Sequence, residues 1–328
     1  MLKFKRIGTK ITVAIVMVGM IISLGIGSIV GLKVSKEFTS EALKLAEETV
    51  SKHTEMIDRS FNTTETAVQM LSQNLESNFN LSEALNDPEY MVDFKSNYVK
   101  TVGDVAKKLN YTKSVYIYFN SEVFKSAHDI WFKADENNNF ARQKEFDLSY
   151  FDRDASNTEW FYTPIDTKKP VWSAPYNDAT GQLVTSYAMP VVKNGSVIAV
   201  VGMDFNVSDV AEHLNSIKLY GSGYIYMMNE DYEFIVHPTE ERGTSLESFD
   251  GGDEAVDEMA ESRVGHAKIT LSGEKKIAGF AKLKNGWTIA SSIPAREVTR
   301  VVDQIMMLIG IIIAAGLVIS MISAYIIG

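Results

Sequence analysis

The feature that most constrains this chain is a pair of uncharged apolar runs at its two ends, residues 11–32 and 305–328. Each exceeds the roughly 20 residues that, at about 1.5 Å of rise per residue, cross about 30 Å of hydrocarbon. They predict two membrane-spanning helices. A cleaved signal peptide would have an apolar stretch of only about 7–15 residues followed by a small-residue cleavage site, whereas the first run here is longer and leads straight into helical sequence. Lys3, Lys5, Arg6 and Lys10 precede that run, so the positive-inside rule keeps the tail, residues 1–10, in the cytoplasm. Residues 33–304 then lie outside a bacterial inner (plasma) membrane, in the periplasm or the extracellular space, and the second crossing returns the C-terminus to the cytoplasm.

The segment between the runs has ample material for a folded core, since the chain as a whole is 45% hydrophobic and 23% charged. With 4 of the 32 Lys and Arg in the tail, 28 face 42 Asp and Glu in the rest, a balance of −14. Such a surface is soluble and a poor partner for nucleic acid. The chain has no Cys, which excludes disulfides and thiolate metal sites.

From residue 34 to about 85, Phe38, Ala42, Leu45, Thr49, Ile57, Phe61, Val68, Leu71, Leu75 and Phe79 recur at helical steps with no Gly or Pro among them. This predicts one amphipathic helix of about 45–50 residues continuing from the first span. Its membrane-proximal part offers a surface for pairing with a second copy, and Gly27 and Gly31 are spaced to let two helices approach closely. Asp87-Pro88-Glu89 reads as the start of a second helix, containing Phe94, Tyr98, Val102, Val105 and Leu109 and antiparallel to the first. The period then becomes alternating. Strands are predicted at 114–119, 184–192 and 197–205, the last two joined by an Asn194-Gly195 hairpin turn. A short helix from Ser208 or Asp209 to Leu219 precedes a second group of strands at 224–228, 233–237, 265–271, 275–281 and 287–292. An acidic helical insert spans 252–262, and a short helix at 294–304 runs into the second span. The order is that of an α+β fold with two antiparallel sheets rather than alternating βαβ units.

Of the 34 aromatic residues, 17 fall between Tyr111 and Tyr187. Most fill a core, but Trp131, Trp160, Trp172, Tyr176 and Tyr187 carry polar tips that need partners when buried. Aromatic walls with a few placed polar groups are the usual make-up of a small-molecule pocket. Metal chemistry finds no support. The segment starting Asp152-Arg153-Asp154 has Asn157 and Thr163 where a calcium loop needs Gly and Glu, and His53, His128, His213, His237 and His266 show no ligand spacing. No cofactor motif and no activated nucleophile is present.

A series of short blocks resembles the double Cache sensory domain of bacterial chemoreceptors and sensor kinases. In order, these are Trp160-Phe161, the stretch from Lys169 through Pro170-Val171-Trp172 to Tyr176, Thr180-Gly181, Ala188-Met189-Pro190-Val191 and Val200-Val201-Gly202-Met203-Asp204. Gly223-Tyr224-Ile225-Tyr226 and Ile235-Val236-His237-Pro238 follow and resemble the start of the family's membrane-proximal module. The resemblance covers nearly all of 33–304. It implies two tandem PAS-like antiparallel-sheet modules, a membrane-distal one with the spine helix at 33–219 and a membrane-proximal one at 220–304. It also implies a ligand pocket in the distal module with Trp160, Phe161, Tyr176, Asp204 and Asp231 as binding residues. Where amino-acid-binding members carry an Arg two residues before the Trp and a Tyr after it, this chain has Thr158 and Phe161. The carboxylate clamp is therefore missing from its usual place, leaving Arg153 and Lys168 as nearby cations.

The resulting expectation is the sensory region of a methyl-accepting chemotaxis protein, not an enzyme, acting as a homodimer. Its ligand would be an amino acid, amine or organic acid, and it would reach cytoplasmic partners through an output region not present before Gly328. A histidine kinase or diguanylate cyclase sensor is the alternative within that class. A membrane-tethered enzyme or an adaptor protein is the alternative outside it.

Overall fold

The computed structural model describes residues 7–107, 111–153, 155, 158–178, 181–271 and 273–327. Lys3, Lys5 and Arg6 of the tail, Leu109 of the second helix, Asp154 and Asn157 of the rejected calcium loop, Thr180 of a resemblance block and Gly328 lie outside the described residues. Helix α1, Ile7–Asn78, is 72 residues long, about 108 Å at 1.5 Å per residue. It joins the first apolar run to the spine without a break. The spine stops short of residue 85 because Asn80 adopts an extended backbone, and its side chain accepts from the amides of Ser82 and Glu83 to cap a separate short helix, α2 (Leu81–Asn86). Asp87 Oδ1 then accepts the Glu89 amide at 2.9 Å ahead of α3, Tyr90–Ala106. Helix α3 runs back along α1, for Tyr90 and Phe94 pack on Phe79 while the Tyr98 hydroxyl reaches Asn74 at 2.8 Å.

Two antiparallel sheets follow. The first is built from β1 (Thr112–Phe119), β2 (Asp129–Ala134), β3 (Phe140–Arg142), β4 (Val171–Trp172), β5 (Tyr176–Asn177), β6 (Leu183–Lys193) and β7 (Ser196–Asn206), in the order β3-β2-β1-β7-β6-β4 with β5 also on β6. Short helices α4 (Ser121–Phe124) and α5 (Glu159–Thr167) interrupt it. At its end the Asn206 side chain accepts from Ser208 and Asp209 amides to cap α6, Val207–Ser216, which leads to the second module. There β8 (Tyr224–Met228), β9 (Phe234–Val236), β10 (Val264–Leu271), β11 (Glu274–Lys282) and β12 (Thr288–Pro294) form a sheet in the order β10-β11-β12-β8-β9. Helix α7 (Gly252–Ala260) covers one face, and α8 (Ala295–Ile327) continues directly from β12.

Each sheet turns one face to the spine. Val68, Leu71, Leu75 and Phe79 of α1 join Val115, Ile117 and Phe119 of β1 in one core. Ala42, Ala46, Val50, Ile57 and Phe61 join Ile225, Met227, Ile277 and Ile289 in another. The buried stripe near residue 45 differs by one from the predicted one, since Leu45 is 45% exposed while Ala46 is fully buried. The small residue faces inward because β11 touches the helix there: a Cβ on Gly279 would lie 2.3 Å from the Ala46 carbonyl carbon. Phe61 marks the junction of the modules, its ring 4.3 Å from Trp172, 4.8 Å from Phe205 and 6.1 Å from Trp287. Helices α1 and α8 are both long and apolar enough to cross a membrane. Gly27 faces Ile309 and Ile313, and Gly31 faces Met306, so the close approach that the glycines permit is made here with α8 of the same chain.

Candidate ligand-binding site

Strand alternation gives the first sheet a second face, turned away from the spine. The antiparallel register lays its side chains out in rows. Lys133 of β2, Ser114 of β1, Asp204 of β7 and Ser186 of β6 form one row; Trp131, Tyr116, Gly202 and Ala188 form the next; Asp129, Tyr118 and Val200 form a third. Gly202 has a steric reason to be glycine. The Tyr116 ring lies across it, and a Cβ there would sit 2.4 Å from the ring.

Over this face lie α5 and the segments before it and after it. Trp160 packs on Tyr116 and Tyr118 with centroid separations of 4.8 and 5.2 Å. Phe146 stacks between Trp131 at 4.7 Å and Tyr150 at 4.2 Å. Its backbone is held by Asp129, whose Oδ2 accepts the Phe146 amide at 2.9 Å. Burial pushes the Asp129 carboxyl up to about 6 despite that bond. Tyr176 and Asp178 arrive from β5 and the turn after it. The cleft is lined by seven aromatic residues, Tyr116, Tyr118, Trp131, Phe146, Tyr150, Trp160 and Tyr176, and by two carboxylates, Asp178 and Asp204.

Asp204 sits at the floor. Ser186 Oγ donates to its Oδ1 at 2.5 Å, and the Tyr176 hydroxyl lies 2.7 Å from the same serine and 3.5 Å from the carboxylate. Burial raises its pKa to about 6, with the nearby Asp178 charge adding to the rise, while Ser114, Ser186 and Lys133 oppose it. Asp178 is paired with Lys133, and both side chains are less than 10% exposed. The Tyr116 hydroxyl is buried without a well-formed hydrogen bond; Ser186, already engaged by Asp204 and Tyr176, is the group it leans on.

The geometry therefore gathers Trp160, Tyr176 and Asp204 on one cleft, adds Asp178, and leaves out two other expected residues. Phe161 is buried behind Trp160 against Tyr118 and Phe151, filling core rather than lining space. Asp231 is exposed, in the turn between β8 and β9, where its amide donates to Asn229 Oδ1 at 3.0 Å. It lines a different cleft, between the modules, with Trp172 and Trp287. The carboxylate that shares the pocket with Asp204 is Asp178, two residues after Tyr176 and brought there by the pairing of β5 with β6.

Trp172 and Tyr187 occupy the spine face, the Trp172 indole donating to Glu65 at 2.8 Å. Thr158 does not face the pocket either: it is fully buried, its hydroxyl 2.5 and 2.8 Å from the carbonyls of Asp152 and Ala155. Neither nearby cation replaces the missing clamp. Arg153 pairs with Glu122 and Asp166 over the Tyr162 ring, and Lys168 donates to the Gly195 carbonyl at 2.9 Å. Among the described residues no group of three or more His, Cys, Asp or Glu is arranged to hold a metal ion.

Comparisons with known proteins agree with this architecture. Methyl-accepting chemotaxis protein McpA of Bacillus subtilis (strain 168) is 23% identical over 267 residues, covering 77% of this chain and 38% of that protein. The chain thus spans well under half the length of this relative. The periplasmic sensory domain of the Campylobacter jejuni chemoreceptor Tlp1 superposes with a TM-score of 0.64 at 17% identity, covering 80% of this chain and 98% of that one. The ligand-binding domain of Mlp24, solved with asparagine, gives 0.52 at 18% identity, covering 82% and 99%. These likenesses show the fold. The sequence pattern of the Cache domain family dCache_1 matches residues 34–302, and the chain belongs to that family.

Proposed function

We propose that this chain is the sensory region of a membrane-spanning chemoreceptor and that its ligand is a small organic cation, an amine, held in the aromatic cleft of the first module. One observation carries the ligand class: two carboxylates stand inside a wall of seven aromatic rings, with Thr158 and Phe161 where a carboxylate clamp would need Arg and Tyr. An ammonium group gains from the ring faces and from charge-assisted hydrogen bonds to Asp204 and Asp178. An amino acid would add a carboxylate, and none of the residues lining the cleft is a Lys or Arg, Lys133 lying beside it in an ion pair with Asp178. The space is narrow, with room for about one water-sized group, so the ligand enters as the side chains of Phe146, Tyr150, Trp160 and Tyr176 give way.

The first module packs on the part of the spine farther from the apolar run, and the second on the nearer part. With α1 and α8 in the membrane, the first module is membrane-distal and the sensor lies outside the cell. Ligand binding at β7 would act through the continuous path of β7, the Asn206 cap, α6 and the second sheet to α8. A chemotaxis output is favoured by the relative in Bacillus; a kinase or cyclase output would leave the sensor reading unchanged.

Thermal-shift titration of the whole chain in detergent with amines, amino acids, organic acids and sugars tests the ligand class. Stabilisation is expected from amines and should be lost in Asp204→Asn and weakened in Asp178→Asn. Stabilisation by acids or sugars but not amines, or full amine binding in both variants, would sink the proposal.

A further inference from the structure

The second sheet has the same two-faced design. Its face away from the spine is covered by α7 and the segment 237–251, and a cavity opens between the sheet and that segment. The rings of Tyr224, Phe234 and Phe249, with Leu271, supply an apolar wall. Lys276, Glu274, His237 and Glu240 supply the polar one. The position corresponds to that of the aromatic cleft in the first module, but the polar groups are of another kind.

Hydrogen bonding at the polar wall decides which partner it can take. His237 Nδ1 accepts the amides of Glu240 at 2.9 Å and Thr239 at 3.2 Å. Its proton therefore sits on Nε2, which is a donor, and burial holds the imidazole neutral by lowering its pKa to about 4, with Glu240 opposing. Lys276 donates one hydrogen bond to Glu274 at 2.5 Å, leaving further N–H groups on its ammonium. Glu274 is taken by two cations, Lys276 and, at 3.3 Å, Arg296. Glu240 accepts from Thr239 Oγ1 at 3.0 Å. Beyond these bonds the wall offers the Nε2–H of His237 and further N–H groups of Lys276 as donors, beside the two glutamates.

We propose that this cavity is a second ligand site, for a small organic acid whose carboxylate is taken by Lys276 and His237 and whose apolar body lies on the Tyr224, Phe234 and Phe249 rings. The site borders the output helix. Lys276 is opposite Pro294 in the β11–β12 register, one residue before α8 begins, and Arg296 in the first turn of α8 forms an ion pair with the cavity's own Glu274. A carboxylate that draws Lys276 from Glu274 changes the group that anchors α8.

The test uses the whole chain in detergent, titrated with propionate and isobutyrate, and with propionamide and isobutyramide as uncharged controls at constant ionic strength. The acids should raise the melting temperature and the amides should not. Lys276→Met should weaken acid binding by about tenfold or more, Lys276→Arg should retain it, and His237→Phe provides a second removal of a donor should Lys276→Met melt too early to titrate. Asp204→Asn, which removes the proposed amine site, should leave acid binding intact. The proposal is overturned by equal responses to acids and amides, by no response to either acid through the millimolar range, or by acid binding that persists in Lys276→Met and His237→Phe.

Discussion

The two modules hang on one helix and share one plan, yet their outer faces carry different sets of polar groups. In the first, the face away from the spine carries carboxylates among aromatic rings, and its central Asp204 is raised to about 6 by burial. In the second, the same face carries a lysine, two glutamates and a neutral histidine lowered to about 4, beside the strand that leads into α8. The difference shows that equivalent places on two like scaffolds need not share their chemistry. The spine-facing residues fix the architecture, and the opposite face is free to select a ligand. Glu297 of α8 accepts the amides of Gly221 and Ser222 at 2.6 and 2.8 Å and the Ser222 hydroxyl at 2.6 Å, tying α8 to the connection between the modules.

The largest effect should come where the modules meet. Phe61 touches Trp172, Phe205 and Trp287, so Phe61→Ala is expected to cost about 3–5 kcal/mol and to lower hydrogen-exchange protection in both sheets. Loss confined to one sheet would show that the junction does not couple them. Gly279→Val should cost about 3 kcal/mol by pushing β11 off Ala46, with loss of protection centred on the second sheet; chemical denaturation with exchange mass spectrometry separates the two outcomes.

Acid separates the modules by sign. Asp204 and Asp129 have folded values near 6, above their unfolded value of about 3.9, so the folded first module binds protons more tightly. The stability they contribute is complete below about 3.9 and is lost as pH rises through about 6. His237 has a folded value of about 4, below its unfolded value of about 6.5, so its contribution is present above about 6.5 and lost as pH falls through about 4. Between pH 7 and pH 5 the first module should gain on the order of 2 kcal/mol from its aspartates and the second lose on the order of 1 kcal/mol after solvent screening. Asp204→Asn should diminish the first trend and His237→Phe should abolish the second; the same slope in both modules would break the contrast.

A smaller change belongs to the first pocket alone. Gly202→Ala puts a methyl group against the Tyr116 ring and should weaken amine binding by about tenfold, near 1.4 kcal/mol, with the second module's exchange unchanged. The smallest effect is expected on the exposed spine, where Arg59→Ala removes a surface pair with Glu55 at 3.3 Å and should cost only a few tenths of a kcal/mol. A larger loss there would mean that this surface meets another chain.

Much of the architecture follows from local rules applied along the sequence. The two apolar runs need only length and the absence of charge. The spine needs only helical spacing, and Asn194-Gly195 adopts the positive φ values, 51° and 81°, that a tight hairpin requires. The long strands β6 and β7 were legible because their length let alternation show. Strands β2 to β5 were not: three of them are two or three residues long, and β2, Asp129–Ala134, carries Asp129 and Lys133 at buried positions that read as solvent-facing. The pocket was half legible for the same reason. Trp160, Tyr176 and Asp204 stood out by type and resemblance, but only cross-strand register put Ser114, Asp204 and Ser186 in one row, brought Asp178 to them and carried Asp231 to another cleft. Residue types and spacing determine which faces are apolar, because that depends on neighbours a few residues away. Which polar groups meet inside depends on strand pairings between segments some 20 to 90 residues apart, and those are set by the packing of the whole sheet against the spine.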